Sequence, residues 1–173
     1  MKKLKQVYVV YAIILLIFVL YLTANIYRLV NIHDLNGLSY SLKSIYRTIS
    51  IYGIFKLFLV FLIPVIAIFY KNRFSWILIL TYFYFLFCRI ITNLLFDLTF
   101  NDVLDVYMVI FIAFLVLPML SIYLLNSTPT FKSVYGLEKK SLSTYNLMAF
   151  ILGCGLSLLV YISQNNLYFS SFF

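Results

Sequence analysis

The chain has 173 residues, 65% of them hydrophobic and only 10% charged, with a formal net charge of +8. Soluble domains carry about 25% charged residues, and a soluble fold of this size has nowhere to hide so much apolar surface, so that class is excluded. Nucleic-acid binding is set aside as well: the lysines and arginines come one to three at a time between apolar blocks, with no continuous basic face.

The composition predicts an all-α, polytopic helical membrane protein forming a single integral membrane domain. Crossing the hydrocarbon core takes about 20 mainly apolar residues in a helix. Five segments meet that requirement, 7–29, 51–70, 74–96, 103–125 and 145–162. The last is the weakest, since it contains Gly153 and Gly155, so a four-helix count stays open.

The first segment sits within "MKKLKQVYVVYAIILLIFVLYLTAN". Its apolar run is longer than a signal-peptide h-region and lacks a small-x-small cleavage pattern, so a retained helix is expected. It ends with Asn25 and Arg28 on one helical face. Next comes "NGLSYSLKSIYRTISIYG", where Asn36-Gly37 is a turn signal and Leu38, Leu42, Ile45 and Ile49 recur at helical spacing. This predicts an amphipathic helix over 38–49, lying on the membrane surface, extending the second helix, or serving as a plain loop helix.

The second helix has to take in Lys56, because 57–70 alone is too short to span about 30 Å. A lysine at that depth snorkels its ammonium to the interface. Pro64 here and Pro118 in the fourth helix are expected to kink their helices.

The third helix carries a dense aromatic block, "LTYFYFLF", in a chain with 16 tyrosines and 18 phenylalanines. Tyrosine-rich packing is the expected role of the block, an aromatic pocket for a lipid chain or quinone the lesser alternative. Beyond it stands Arg89, and an arginine near the centre of a spanning helix costs about 2.5 to 3.5 kcal/mol. Arg89, Asn93 and Asp97 follow at i, i+4 and i+8 and form one polar stripe. The fourth helix starts near Asp102 and Asp105, at its positive dipole end.

Arg28, Lys56 and Arg89 are therefore expected near Asp97, Asp102 and Asp105, with Asn25 and Asn93, as a charge-compensated intramembrane network in the non-cytoplasmic half. Such a network either fixes helix register or lines a vestibule for an ion, an anionic group or a partner helix.

The segment "NSTPTFKSVYGLEKKSLSTYN" reads as a polar loop with Pro129 and Gly136 and no catalytic motif. The fifth helix repeats Ala149, Gly153 and Ser157 every four residues, a small-residue face for close helix packing, within the protein or against another subunit. Lys2, Lys3, Lys5, Lys71, Arg73, Lys132, Lys139 and Lys140 fall on one side if five helices alternate, which predicts a cytoplasmic N-terminus.

Cys88 and Cys154 lie in apolar runs with no CxxC and no paired spacing, so neither a disulfide nor a metal site is indicated, and each reads as a small hydrophobe. His33 is the single histidine, and no cofactor is implied. No serine motif accompanies His33 and Asp34, the single glutamate is Glu138, and Arg89 and Lys56 would neutralise any pair among Asp97, Asp102 and Asp105. An enzyme is not expected.

The expected function is that of a non-catalytic integral membrane protein acting through helix–helix interaction, as an accessory subunit of a membrane complex or an immunity-type protein that blocks a pore-forming toxin. Its partners would be membrane lipids and either a membrane protein or a second copy. The alternative is a small channel or transporter subunit with a charged vestibule, although no internal repeat is present. The Ile, Tyr, Phe, Lys and Asn bias points to an AT-rich bacterial gene and hence to the bacterial cytoplasmic (inner) membrane.

Overall fold

The computed structural model describes the backbone of residues 2–35, 41–51, 54–100, 106–127 and 134–169. Side chains are described for 7–27, 29–31, 41–46, 48–49, 58–92, 94, 114–127 and 134–162. Helices and short turns account for all of it, with no strand among the described residues. The helices of ten residues or more are α1 (Lys2–Leu35), α2 (Leu42–Ile51), α3 (Ile54–Ala67), α4 (Arg73–Phe100), α5 (Val106–Asn126) and α6 (Lys139–Phe169).

Three stretches are long and apolar enough to cross a membrane: Val7–Asn31, Arg73–Thr92 and Lys139–Ile162. α3 and α5 add the shorter apolar stretches Phe58–Ala67 and Phe114–Asn126. Against the five expected segments, the main difference lies in the second. Its described helix, α3, begins at Ile54 and ends at Ala67, and 68–70 form the turn toward α4, so the expected second helix stops three residues early. The last segment, the weakest in the sequence, is instead a helix of 31 residues, because Gly153 and Gly155 sit within a run of good helix formers.

Local chemistry explains several boundaries. Ser41 caps α2: its hydroxyl accepts from the Ser44 amide at 3.2 Å, and its carbonyl accepts the first helical bond, from the Ile45 amide at 3.0 Å. α3 tightens at its end through i→i+3 bonds from Phe69 to Ile66 and from Tyr70 to Ala67. Asn72 then opens α4 with a reciprocal cap. Its Oδ1 accepts from the Ser75 amide at 2.8 Å, while its own amide donates to Ser75 Oγ at 3.2 Å. Ser75 Oγ also donates to the Tyr70 carbonyl, fastening the turn onto the new helix.

α4 packs most extensively on α6, then on α5 and α3, while α1 packs on α5 and α3. α1 and α4 thus each touch both α3 and α5, and α6 lies along the far side of α4. Trp76, Ile79, Leu80, Tyr82, Phe83 and Phe85 are buried on several faces of α4, as expected for a helix apolar all round.

At the end of the bundle where side chains are described, the buried residues form one core. It joins the start of α1 (Val7, Val10, Tyr11, Ile14), the end of α3 (Pro64, Ala67), the start of α4, the end of α5 (Leu125) and Ala149 of α6. The indole N–H of Trp76 donates to the Leu125 carbonyl at 3.2 Å, clasping the start of α4 to the end of α5. An aromatic chain continues away from that end, with Tyr21 stacked on Phe61 (4.1 Å between centroids) and Phe61 edge-on to Tyr82 (5.6 Å). Tyr82 of the aromatic block on α4 thereby packs toward α3, whereas Tyr84 of the same block packs against Phe150 of α6.

Candidate functional site

The seam between α4 and α6 is where the structure concentrates unusual chemistry. Ala149, Gly153 and Ser157 are all buried, on the face of α6 that meets α4. A Cβ added to Gly153 would lie 2.7 Å from Tyr84 Cβ, 2.8 Å from the Thr81 carbonyl oxygen and 2.9 Å from the Phe85 nitrogen. Backbone therefore approaches backbone here as closely as only glycine permits.

The pairings fix direction and register. Tyr84 sets its ring edge-on against Phe150 at 5.3 Å, and one turn on, Cys88 Sγ lies 3.0 Å from Cys154 Sγ. Position increases together on both helices, so α4 and α6 run parallel, with α5 as the return connection in the chain.

Two thiols that the sequence separates by 66 residues thus become neighbours, and both are half-buried. Both are free thiols, as the sequence suggests, and the packing adds that their sulfurs face each other. No local motif carries the pairing; it follows from the Gly153 crossing.

Next to Cys88, Arg89 is half-buried. Of the expected charged network, Asn25 is the other member with a described side chain. Its amide donates to the Tyr21 carbonyl of its own helix at 2.8 Å. The side chains of Arg28, Lys56, Asn93 and Asp97, and Asp102 and Asp105 altogether, lie outside the described residues.

A second polar group lies nearer the start of the two parallel helices. Asn146 Nδ2 donates to Asn126 Oδ1 at 2.6 Å, Asn126 Nδ2 donates to Asn146 Oδ1 at 3.1 Å, and the Tyr84 hydroxyl donates to Asn146 Oδ1 at 3.3 Å. The remaining amide protons go to the Ile122 and Leu142 carbonyls at 2.9 and 3.1 Å. All four side-chain N–H donors of the pair are used, a closed arrangement that ties α5, α6 and α4 together. Sequence reasoning passed over Asn126 and Asn146 because both stand at the edges of apolar runs, where a polar residue is unremarkable.

The loop before α6 also turns inward. Tyr135 and Leu137 are buried, and the Tyr135 hydroxyl lies 3.1 Å from the Tyr11 hydroxyl of α1. Gly136 between them has φ 63°, the left-handed region that lets the backbone reverse there. Its polar composition hid this docking; the apolar island Val134–Leu137 is its one signal.

No group of three or more His, Cys, Asp or Glu side chains comes together among the described residues. The chain matches no protein family, no curated protein and no solved structure.

Proposed function

We propose that this is a five-span membrane protein with its N-terminus on the cytoplasmic side of the bacterial cytoplasmic membrane. It acts without catalysis, through helix–helix contacts with a membrane-protein partner, as an accessory subunit or an immunity-type protein. The observation that carries this reading is the outward face of α6. Leu147, Met148, Ile151, Leu152, Leu158, Leu159 and Ile162 are exposed along it, and Gly155 among them has nothing within 4 Å of where a Cβ would stand.

An apolar face alone is what lipid requires. A glycine opening onto that face costs helix stability, about 1 kcal/mol relative to alanine, and admits a second backbone. The alternating course of the helices supports five spans, with α3 and α5 completed by residues beyond their shorter apolar stretches. α2 supports an interfacial placement: Leu42 and Tyr46 are exposed one turn apart beside Lys43.

Photo-crosslinking tests the reading. A photoreactive residue at Ile151 or Leu159, with the chain at native expression, is expected to give one discrete protein adduct, and the same residue at Leu20 of α1 serves as a comparison. Lipid adducts alone, together with ion flux from the purified monomer that disappears in Arg89→Gln, would overturn it in favour of a channel.

A further inference from the structure

We propose that Cys88 and Cys154 are a redox pair that closes into an internal disulfide when lipid hydroperoxides oxidise it, locking α4 to α6. The inference takes from the functional reading only that these helices lie in a membrane.

The geometry carries it. The sulfur atoms are 3.0 Å apart, and a disulfide bond needs about 2.05 Å, so closure asks for an approach of about 1 Å. The helices are held at this point by contacts that do not involve sulfur: the backbone crossing at Gly153, the Tyr84–Phe150 ring pair, and the Tyr84–Asn146 hydrogen bond. The thiols therefore meet because of the packing around them, and they stay within reach through ordinary side-chain motion.

Depth selects the oxidant. α4 starts at Arg73 and α6 at Lys139, and at 1.5 Å per residue both thiols lie about 22 Å along their helices. That depth is inside the hydrocarbon core whichever face the helices start from. Oxidants confined to water are scarce at that depth. A hydroperoxide carried on a lipid chain dissolves in the same layer and reaches the half-buried sulfurs from the side.

The steps balance. One sulfur attacks the terminal peroxide oxygen, the O–O bond breaks, and the lipid alcohol leaves with the thiol proton, so that a sulfenic acid remains. The second sulfur then attacks the first, the S–O bond breaks, the S–S bond forms, and water carries off the second proton. Two thiols and one hydroperoxide give one disulfide, one alcohol and one water. A thiol reductant reverses the bond. Because the closed loop contains all of α5, oxidation would tie three helices into one covalent unit.

The test uses the whole chain, purified and reconstituted in phosphatidylcholine vesicles, treated with cumene hydroperoxide as the lipid-soluble oxidant. Maleimide labelling under denaturing conditions is expected to fall from two sites to none. The intact mass should drop by two hydrogens, the chain should stay monomeric on a non-reducing gel, and reductant should restore both sites. Cys154→Ser should lose the crosslink and leave Cys88 either alkylatable or carrying oxygen.

Persistence of both thiols, oxygen accumulating on one cysteine while the other stays alkylatable, or a bond between two chains would overturn the proposal. Equal oxidation by hydrogen peroxide would overturn the choice of oxidant. These readouts need no partner protein, so their failure is separable from failure of the crosslinking at α6.

Discussion

At the level of single residues, the Tyr11–Tyr135 contact decides how firmly the loop before α6 is held. Each hydroxyl is the other's partner at 3.1 Å, deep enough that neither ring is more than marginally exposed. Removing one hydroxyl strands the other, which costs about 1–3 kcal/mol for a buried group, whereas removing both leaves two phenyl rings of the same shape. Tyr11→Phe and Tyr135→Phe are each expected to lower the midpoint of thermal unfolding in mild detergent. The double variant should recover most of the loss, and additive effects would show that the two hydroxyls do not pair. Burial, helped by the Tyr11 hydrogen bond, also pushes the Tyr135 phenol above its ordinary value of 10.0. A raised folded-state pKa means that the unfolded phenol ionises first. The contribution is therefore complete below about pH 10 and is lost as pH climbs beyond it. Unfolding midpoints followed from neutral pH upward should fall more steeply above that point in the native chain than in Tyr135→Phe; parallel curves would remove Tyr135 as a cause.

At the level of elements, the two glycines of α6 make opposite predictions although they stand two residues apart. Gly153 has backbone atoms of α4 where its Cβ would go, and Gly155 has open space. Gly153→Ala should force the helices apart, at a cost of about 1–3 kcal/mol as an overpacked contact, and should slow oxidative closure of the cysteines. Gly155→Ala should stabilise the isolated chain by up to about 1 kcal/mol, since alanine is the better helix former. Thermal unfolding of both variants checks this, and equal destabilisation would mean that Gly155 is packed after all. The small-residue face was readable in the sequence because a repeat of four is a property of one helix. Its partner was not, since the same face fits another subunit as well as α4. The Cys88–Cys154 contact was still less legible: it depends on two parallel helices meeting in one register, and no spacing within the chain encodes that. Arg89 stood out by chemistry alone, an arginine in an apolar helix, and the structure leaves it half-buried beside the seam.

At the scale of the molecule, α4 and α6 run parallel and α5 runs back against α4, the Trp76–Leu125 hydrogen bond joining the start of one to the end of the other. The docking of the loop before α6 was hidden in the sequence. Where the starts of α1, α4 and α6 meet, the aromatic-rich start of α4, the end of α5 and the Tyr135 loop converge in a buried core. Trp76, the single tryptophan, is fully buried in that region, so its emission should be blue-shifted and insensitive to iodide until the bundle unfolds.

The same arrangement places the exposed residues Lys71 and Glu138 at the core end and α2, with Leu42 87% exposed, at the opposite end beside the start of α3. In a membrane, the two ends face different compartments. Single cysteines at Lys71, Glu138 and Leu42, in a background with Cys88 and Cys154 changed to serine, would read this directly. A membrane-impermeant maleimide added to intact cells should label the cysteine at Leu42 and spare those at Lys71 and Glu138, which should label after the cells are opened. The proposed orientation gives this sense, since it keeps the lysines and arginine flanking α4 and α6 in the cytoplasm. Labelling of all three from outside would break the alternation itself. The reverse pattern would keep the bundle and invert its orientation.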